Sequence, residues 1–271
     1  MFSFNESDLG INIRQTGEEH AQLIKGLGAY FQQRGLHTKL LLGDNSDANT
    51  YSFIYPAMKD AGTHPYIGAI SFHSWRGWET VTLQKWADAA LQMNLPLIVG
   101  EGSIDAAAWN YPAIFQEQTY AIKEINLYTR LMAICQPLSI LQWQLTADYS
   151  PLIGGGIFGN NDSLHPGQRF YNLKQLASVP QNVAAMPVKT SAPYISCAAQ
   201  GNNPTHTYAV HLVNNGATRS AIVMGLPSAV KKVKMYVTTK DINMKESVLP
   251  VTNGEVKLTI TTESYTTLIS D

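Results

Sequence analysis

The chain changes texture once, near residue 183, and that change constrains its fold more than any other feature. Before it, short aliphatic runs alternate with longer segments of helical period. Lys39-Leu40-Leu41-Leu42, Tyr66-Ile67-Gly68-Ala69-Ile70 and Leu95-Pro96-Leu97-Ile98-Val99 read as strands. Residues 18–33, 82–93, 111–134 and 169–177 read as helices, and 49–61 as a shorter one that stops at Gly62. In 18–33 the apolar stripe is Ala21, Ile24, Leu27, Tyr30 and Phe31. In 82–93 it is Leu83, Trp86, Ala87, Ala90 and Leu91. Strands that are apolar throughout, each followed by a helix, imply a parallel sheet covered on both faces.

After the change, the strand-like runs are 194–199, 207–214, 220–226, 232–237, 256–261 and 265–270. Turn signals such as Asn214-Asn215-Gly216 and Asn253-Gly254 separate them. Lys257-Leu258-Thr259-Ile260-Thr261 alternates with period two. Short alternating strands between turns predict an antiparallel sandwich. The predicted organisation is therefore a βα domain over 1–180 and a β-sandwich domain over 181–271.

The fold class is α/β: the last five βα units of a (β/α)8 barrel, followed by the sandwich. The strand-like runs end near Glu6, Asp44, His73, Glu101 and Trp143, whereas a closed barrel has eight strands. Met1 falls inside the first of these runs, so the reading expects three units to be missing ahead of it. An open, doubly wound five-stranded sheet, with its ligand at a switch point, is the alternative.

Charge excludes several functions. The net charge is −1, which argues against a nucleic-acid partner. Charged residues make up 14% of the chain, against a usual ~25%, and Asn, Gln, Ser and Thr take their place. Such a surface suits uncharged, hydroxyl-rich ligands. No apolar run is long enough to cross a membrane, and Met1-Phe2-Ser3-Phe4 has no signal-peptide pattern. Cys135 and Cys197 are expected to be buried free thiols. The seven histidines show no metal-ligand spacing, so no metal or cofactor is expected. Ser103 lacks a nucleophile elbow, and Gly154-Gly155-Gly156 lacks the features of a phosphate cradle.

Two carboxylates stand out. Glu6 and Glu101 each end a strand-like run, and Glu101 lies between two glycines, 95 residues after Glu6. A βα unit averages roughly 31 residues, so the pair is about three units apart, nearly across a barrel mouth. Paired carboxylates over a pocket are the equipment for cutting glycosidic bonds.

Phe2-Ser3-Phe4-Asn5-Glu6, Ser71-Phe72-His73-Ser74-Trp75, Ile98-Val99-Gly100-Glu101-Gly102 and Leu141-Gln142-Trp143 together resemble the clan A glycoside hydrolases, family 30 first and family 39 second. The resemblance covers the whole chain, as the second half of the barrel plus the appended sandwich. It implies that Glu6, after Asn5 at the end of the fourth strand, is the general acid/base. It implies that Glu101, at the end of the seventh strand, is the nucleophile of a retaining mechanism. Asn5 would bind a sugar hydroxyl, His73 would bind Glu101 or the sugar, and Trp143 would stack on a pyranose. Trp75 joins the substrate-binding residues as a lining of the mouth, with Trp78 and Trp109 as further candidates. Asp44, Asn45, Asp148 and Tyr149 are lesser ones.

The substrate expected is a carbohydrate, without nucleic acid, membrane or cofactor, and secretion is expected although no signal is visible. The chain alone is expected to turn over glycosides poorly, because the missing strands would wall one side of the pocket. The carboxyl carbons of Glu6 and Glu101 are expected about 5–5.5 Å apart. The competing functions are a non-catalytic carbohydrate-binding relative of the same fold, and a lyase, which would place Lys or a metal at the strand ends.

Overall fold

The computed structural model describes residues 1–145 and 147–270. Two compact units are present, one of Met1–Ala106 with Ile134–Trp143, the other of Ala107–Ala133 with Gln144–Asp271.

In the first unit, helix α1 (Gly17–Gln33) begins at a capping box: the Glu19 N–H donates to Thr16 Oγ1 (3.2 Å) and the Thr16 N–H to Glu19 Oε2 (2.8 Å). Strand β1 (Leu40–Asn45) follows, then a 3-10 segment and the short α2 (Tyr55–Lys59), β2 (Ile67–His73), α3 (Thr80–Met93) and β3 (Leu97–Gly102). After α4 (Gln118–Ile134) the chain adds β4 (Ser139–Gln142). The sheet is parallel, in the order β1-β2-β3-β4. Leu40, Leu42, Ile70, Phe72 and Val99 are fully buried in it, as continuous aliphatic strands require. Trp86 of α3 stacks on Phe72 (4.7 Å between centroids) and donates its Nε1–H to Ala48 O (2.9 Å).

Three expectations are corrected here. The first strand-like run makes a single parallel bridge, Phe2 to Leu40, and then turns. The turn carries the Gly10 N–H to Glu6 O at 2.8 Å, and Glu6 has a φ of 50°, a left-handed conformation that ends extended pairing. The buried stripe of α3 is Leu83, Trp86 and Ala89, while Leu91 is 82% exposed. At 3.6 residues per turn Leu91 stands about 140° round the helix from Trp86. The helix expected over 111–134 starts at Gln118. Ahead of it lie two 3-10 turns, with Tyr111 and Glu117 both outside helical geometry and Pro112 between them.

The second unit holds α4, a small ribbon of β5 (Leu152–Ile153) and β6 (His165–Pro166), helix α5 (Gln168–Ala177) and an antiparallel assembly. Its strands are β7 (Ala184–Met186), β8 (Ile195–Asn202), β9 (Thr207–Asn214), β10 (Arg219–Met224), β11 (Lys232–Thr238), β12 (Lys245–Pro250), β13 (Glu255–Ile260) and β14 (Ser264–Ser270). Six form a sheet in the order β12-β11-β14-β9-β8-β7, and β10 pairs with β13. Tyr208, Val210, Leu212, Val233, Val256, Leu258, Ile260 and Leu268 fill the core between them. Strands β7 and β12 went unread in the sequence. Both are edge strands, and β12 turns only Ser247 and Leu249 partly inward, too few residues to make a readable apolar alternation.

Helix α5 is tied to the other face of the large sheet. Gln175, fully buried, donates to Tyr236 O (3.2 Å), Tyr265 O (3.2 Å) and Thr267 Oγ1 (2.9 Å), and accepts from Thr238 Oγ1 (2.7 Å). Both cysteines are free. Cys135 is buried, whereas Cys197 is only half-buried, a correction that follows from its place on the strand beside the edge strand β7. Among the described residues no helix is long and apolar enough to cross a membrane.

Each unit buries a neutral histidine. His211, fully buried, pairs through Nδ1 with the Tyr265 hydroxyl at 2.7 Å, and burial lowers its pKa to about 4. His20 accepts the Gly43 N–H at Nε2 (3.2 Å), and burial likewise lowers it to about 4, against the opposing charges of Asp8 and Asp44. Both folded values lie below the unfolded 6.5, so the stability they contribute is complete above pH 6.5 and is lost as pH falls toward 4. A loss on the order of 3 kcal/mol per histidine is expected by pH 4. Urea unfolding at pH 7 and pH 4.5 measures it, and His211→Gln should flatten the dependence. An unchanged slope in that variant would contradict the assignment.

Candidate active site

The carboxyl ends of parallel strands are where α/β proteins hold ligands. Here those ends gather Asp44 from β1, His73 from β2 and Glu101 from β3, with Glu6 from the segment bridged to β1. The Glu6 N–H donates to Asp44 O at 3.0 Å, which fixes the first carboxylate against the second strand end.

His73 is the centre. Its side chain is 1% exposed, and its Nδ1 lies 3.1 Å from Glu6 Oε1 and 3.2 Å from Glu101 Oε2. On the other side of the ring, Nε2 lies 3.4 Å from Asp44 Oδ1, longer than a full hydrogen bond. Trp75, buried, donates its Nε1–H to Glu101 Oε2 at 3.2 Å. Asp44 also accepts from the hydroxyls of Ser71 (2.7 Å) and Ser3. The Ser74 hydroxyl donates to Ser103 O (2.9 Å) and accepts the Ser103 N–H (3.2 Å), clipping together the loops that follow β2 and β3.

Burial by itself would lower the pKa of His73. The close contact with Asp44, the hydrogen bond to Glu6 and the charges of Glu101 and Asp44 together outweigh it and raise the value to about 9. The ring is an imidazolium at neutral pH, and the stability this pairing contributes is complete below 6.5 and lost as pH rises through about 9. Burial pushes the Glu101 carboxyl above its ordinary range, the His73 charge pulls it down, and the Glu6 charge pushes it up again. On balance the Glu101 carboxyl stands above its ordinary range, and the His73 charge limits the rise. Burial is the largest single effect on Asp44 and raises its pKa, but the contact with His73 and the hydrogen bonds from Ser3 and Ser71 together outweigh it and hold the carboxyl below its ordinary range.

Of the residues singled out from the sequence, Glu6, His73, Trp75 and Glu101 form one hydrogen-bonded cluster. Asn5 is exposed in the turn before Glu6, outside that cluster. Trp143 is 37% exposed just past β4, its N–H bonded to Gly102 O at 2.9 Å. Of the remaining candidates, Trp78, Asn45 and Tyr149 have structural partners. The Trp78 Nε1–H is given to Ser74 O (2.6 Å), and Asn45 is buried, with Nδ2 donating to Thr50 O (2.8 Å). Tyr149 is buried, and its carbonyl accepts from Arg169. Trp109 is 58% exposed, Asp148 is exposed, and Gly154, Gly155 and Gly156 are left-handed turn residues.

Asp44 and Gly100 were underrated in the sequence. Their signal is a shared pattern, Gly43-Asp44 and Gly100-Glu101: a glycine and an acid at the end of an aliphatic strand. Glu6, His73 and Glu101 also offer three ligand atoms within 4.8 Å of one another, a spacing a metal ion could bridge. The same side chains are also paired without an ion, since His73 Nδ1 lies 3.1 Å from Glu6 Oε1 and 3.2 Å from Glu101 Oε2.

The fold has solved relatives. A family 30 endoxylanase from Clostridium papyrosolvens superposes with a TM-score of 0.80 at 15% identity, over 99% of this chain and 64% of that one. A conserved exported protein from Bacteroides fragilis matches with a TM-score of 0.73 at 13% identity, over 98% and 64%. A family 51 α-L-arabinofuranosidase from Bifidobacterium longum matches at 0.67 and 14%, over 99% and 67%. The fold is clan A glycoside hydrolase-like. The chain spans under two thirds of the length of the endoxylanase and of the exported protein. No protein-family model matches the sequence, and no curated protein matches it.

Proposed function

We propose that this chain carries the acid/base and the nucleophile of a retaining glycosidase. In this reading residues 1–180 are the last five βα units of a (β/α)8 barrel and residues 181–271 its β-sandwich domain. The observation that carries it is that Glu6 and Glu101 both reach one nitrogen of one histidine, with their nearest oxygens within 4.8 Å of each other. Retaining enzymes hold their two carboxyl groups about 5–5.5 Å apart, inverting ones further, to admit a water between. The shared histidine nitrogen supports one site for both carboxylates, which retention requires.

In the reaction, Glu101 attacks the anomeric carbon as a carboxylate, and Glu6 gives its proton to the leaving oxygen. A glycosyl ester on Glu101 results. Water then attacks the same carbon, Glu6 takes the water's proton, and the ester bond breaks. The imidazolium of His73 favours the ionised nucleophile, as its charge pulls the Glu101 carboxyl down. The Trp75 N–H steadies one oxygen of that carboxylate. Asn5 and Trp143 belong to the sugar-binding rim in this reading.

The xylanase and arabinofuranosidase relatives make aryl xylosides and aryl arabinofuranosides the first substrates to try. Proton NMR of the first-formed sugar tests retention, and a 2-fluoro glycoside should label Glu101 by mass. An inverted product, or labelling elsewhere, would overturn the mechanism. Sugar binding without turnover, unchanged in Glu6→Gln, would identify a carbohydrate-binding protein instead. Export from the cytoplasm completes the reading. It is supported by the exported relative from Bacteroides fragilis, and cell fractionation tests it.

A further inference from the structure

Two irregularities flank His73. Along β1 and β2, Gly43 pairs with Ser71 and Asn45 with Phe72, so Asp44 is an extra residue bulged out of the ladder. Along β2 and β3, Phe72 pairs with Val99 and His73 with Glu101, so Gly100 is bulged in the same way. Bulges are uncommon in parallel pairs and serve to re-aim side chains near active sites. Asp44 has a φ of 59°, unusual for a residue with a side chain, and Gly43 before it has a φ of 91°. This backbone turns the Asp44 carboxylate in toward the edge of the His73 ring carrying Nε2.

Gly100 makes room for it. A Cβ there would meet Asp44 Oδ1 in hard overlap, Ser71 Oγ at 2.7 Å and His73 Cδ2 at 3.4 Å. Asp44 is only 7% exposed, and its other contacts are the two serine hydroxyls. A buried carboxylate on a strained bulge costs stability, and a purely structural role would be met by an uncharged residue. The charged and titratable groups facing His73 are Glu6, Glu101 and Asp44, with His20 behind β1 bonded to the Gly43 N–H and held neutral.

We propose that Asp44 is a positioning residue for the glycosidase reaction: from the bulge at the end of β1 it holds the His73 ring with Nδ1 turned to both Glu6 and Glu101. Asp44 touches neither carboxylate's reacting oxygen and acts through His73. With Asp44 in place the imidazole keeps both its protons. Without it, the ring is free to lose the Nε2 proton or to swing, and the charge next to the nucleophile goes. This inference rests on the glycosidase reading for its purpose, but its geometry can be tested without turnover.

The experiment is an NMR titration of His73 in the intact chain, assigned with His73→Gln, in the wild type and in Asp44→Asn. The wild-type midpoint is expected near 9, and Asp44→Asn should lower it by about 1–3 units, as loss of an adjacent opposite charge does. A residue that only supported the fold would lower Tm and leave the His73 midpoint in place. If Asp44→Asn does not fold, Gly100→Ala provides the second arm: it displaces the carboxylate without removing its charge from the chain, and the same downward shift is expected. A His73 midpoint that stays put in a folded variant overturns the proposal. Absence of turnover even in a chain extended upstream by three βα units overturns the glycosidase reading instead, while the titration still decides whether Asp44 holds His73.

Discussion

Glu101→Gln is expected to lower kcat by on the order of 10⁴-fold or more, because an amide cannot form the glycosyl ester. The substitution keeps the size of the side chain and leaves an oxygen to accept from Trp75 Nε1, so the fold should persist. It removes one of the negative charges that hold the proton on His73, whose NMR midpoint should therefore fall. Glu6→Gln should cost about 10²–10⁴-fold with substrates whose leaving group needs a proton. The cost should be far smaller with activated aryl glycosides, which leave unaided. This difference separates the two carboxylates by role. Glu101→Gly supplied with azide should give a glycosyl azide of inverted configuration, since the small anion occupies the face the nucleophile left. Equal sensitivity of both variants to leaving-group quality would refute the assignment of roles.

The largest stability effect is expected far from this chemistry, at Arg169 of α5. Its side chain is 1% exposed and grips Glu124 of α4 with two parallel hydrogen bonds, Nε to Oε2 and Nη2 to Oε1, both 2.9 Å. Nη1 donates to Tyr149 O (3.0 Å) and Ser150 O (3.1 Å), and the guanidinium lies 4.8 Å from the centroid of Phe115 and 5.2 Å from that of Tyr120. Asn172 Nδ2 adds a bond to Ala121 O at 3.0 Å. Removing the guanidinium leaves the Glu124 carboxylate buried without its partner, which typically costs about 3–5 kcal/mol. At roughly 2–4 °C per kcal/mol for a unit of this size, Arg169→Met should lower Tm by about 6–20 °C. Arg169→Met with Glu124→Leu should recover most of that, because an apolar pair of similar volume leaves no charge to desolvate. Differential scanning calorimetry of the two variants decides it, and a double variant no better than the single would contradict the argument.

Much of the parallel sheet was legible because its signal is local. Strands β1, β2 and β3 are runs of aliphatic residues whose burial follows from their composition, and Gly100-Glu101-Gly102 marks a strand end by residue type alone. The boundary of α4 was not legible. The period of residues 111–134 is helical, and the interruption comes from the geometry on either side of Pro112. Leu91 was misplaced because an apolar residue near the edge of a helical stripe is buried only if a neighbour reaches it. Strand β12 was invisible for a related reason: at a sheet edge, a strand needs no apolar face of its own.

By itself the sequence determined the alternation of β and α segments, the change to antiparallel strands near residue 183, and the placing of His73 and Glu101 at strand ends, but not the turn that carries Glu6. Each of these depends on residues close together in the chain, through period, turn chemistry and aliphatic content. Tertiary structure alone decided that the two carboxylates share one imidazole nitrogen, that Asp44 stands behind that ring, and that Trp75 reaches Glu101. Those contacts join residues 26 to 67 positions apart. They also depend on two single-residue bulges, which shift pairing register between neighbouring strands without leaving a mark on local composition. The upward shifts of Glu101 and His73 were equally hidden, because the burial and the neighbouring charges that cause them exist only once the strand ends have converged.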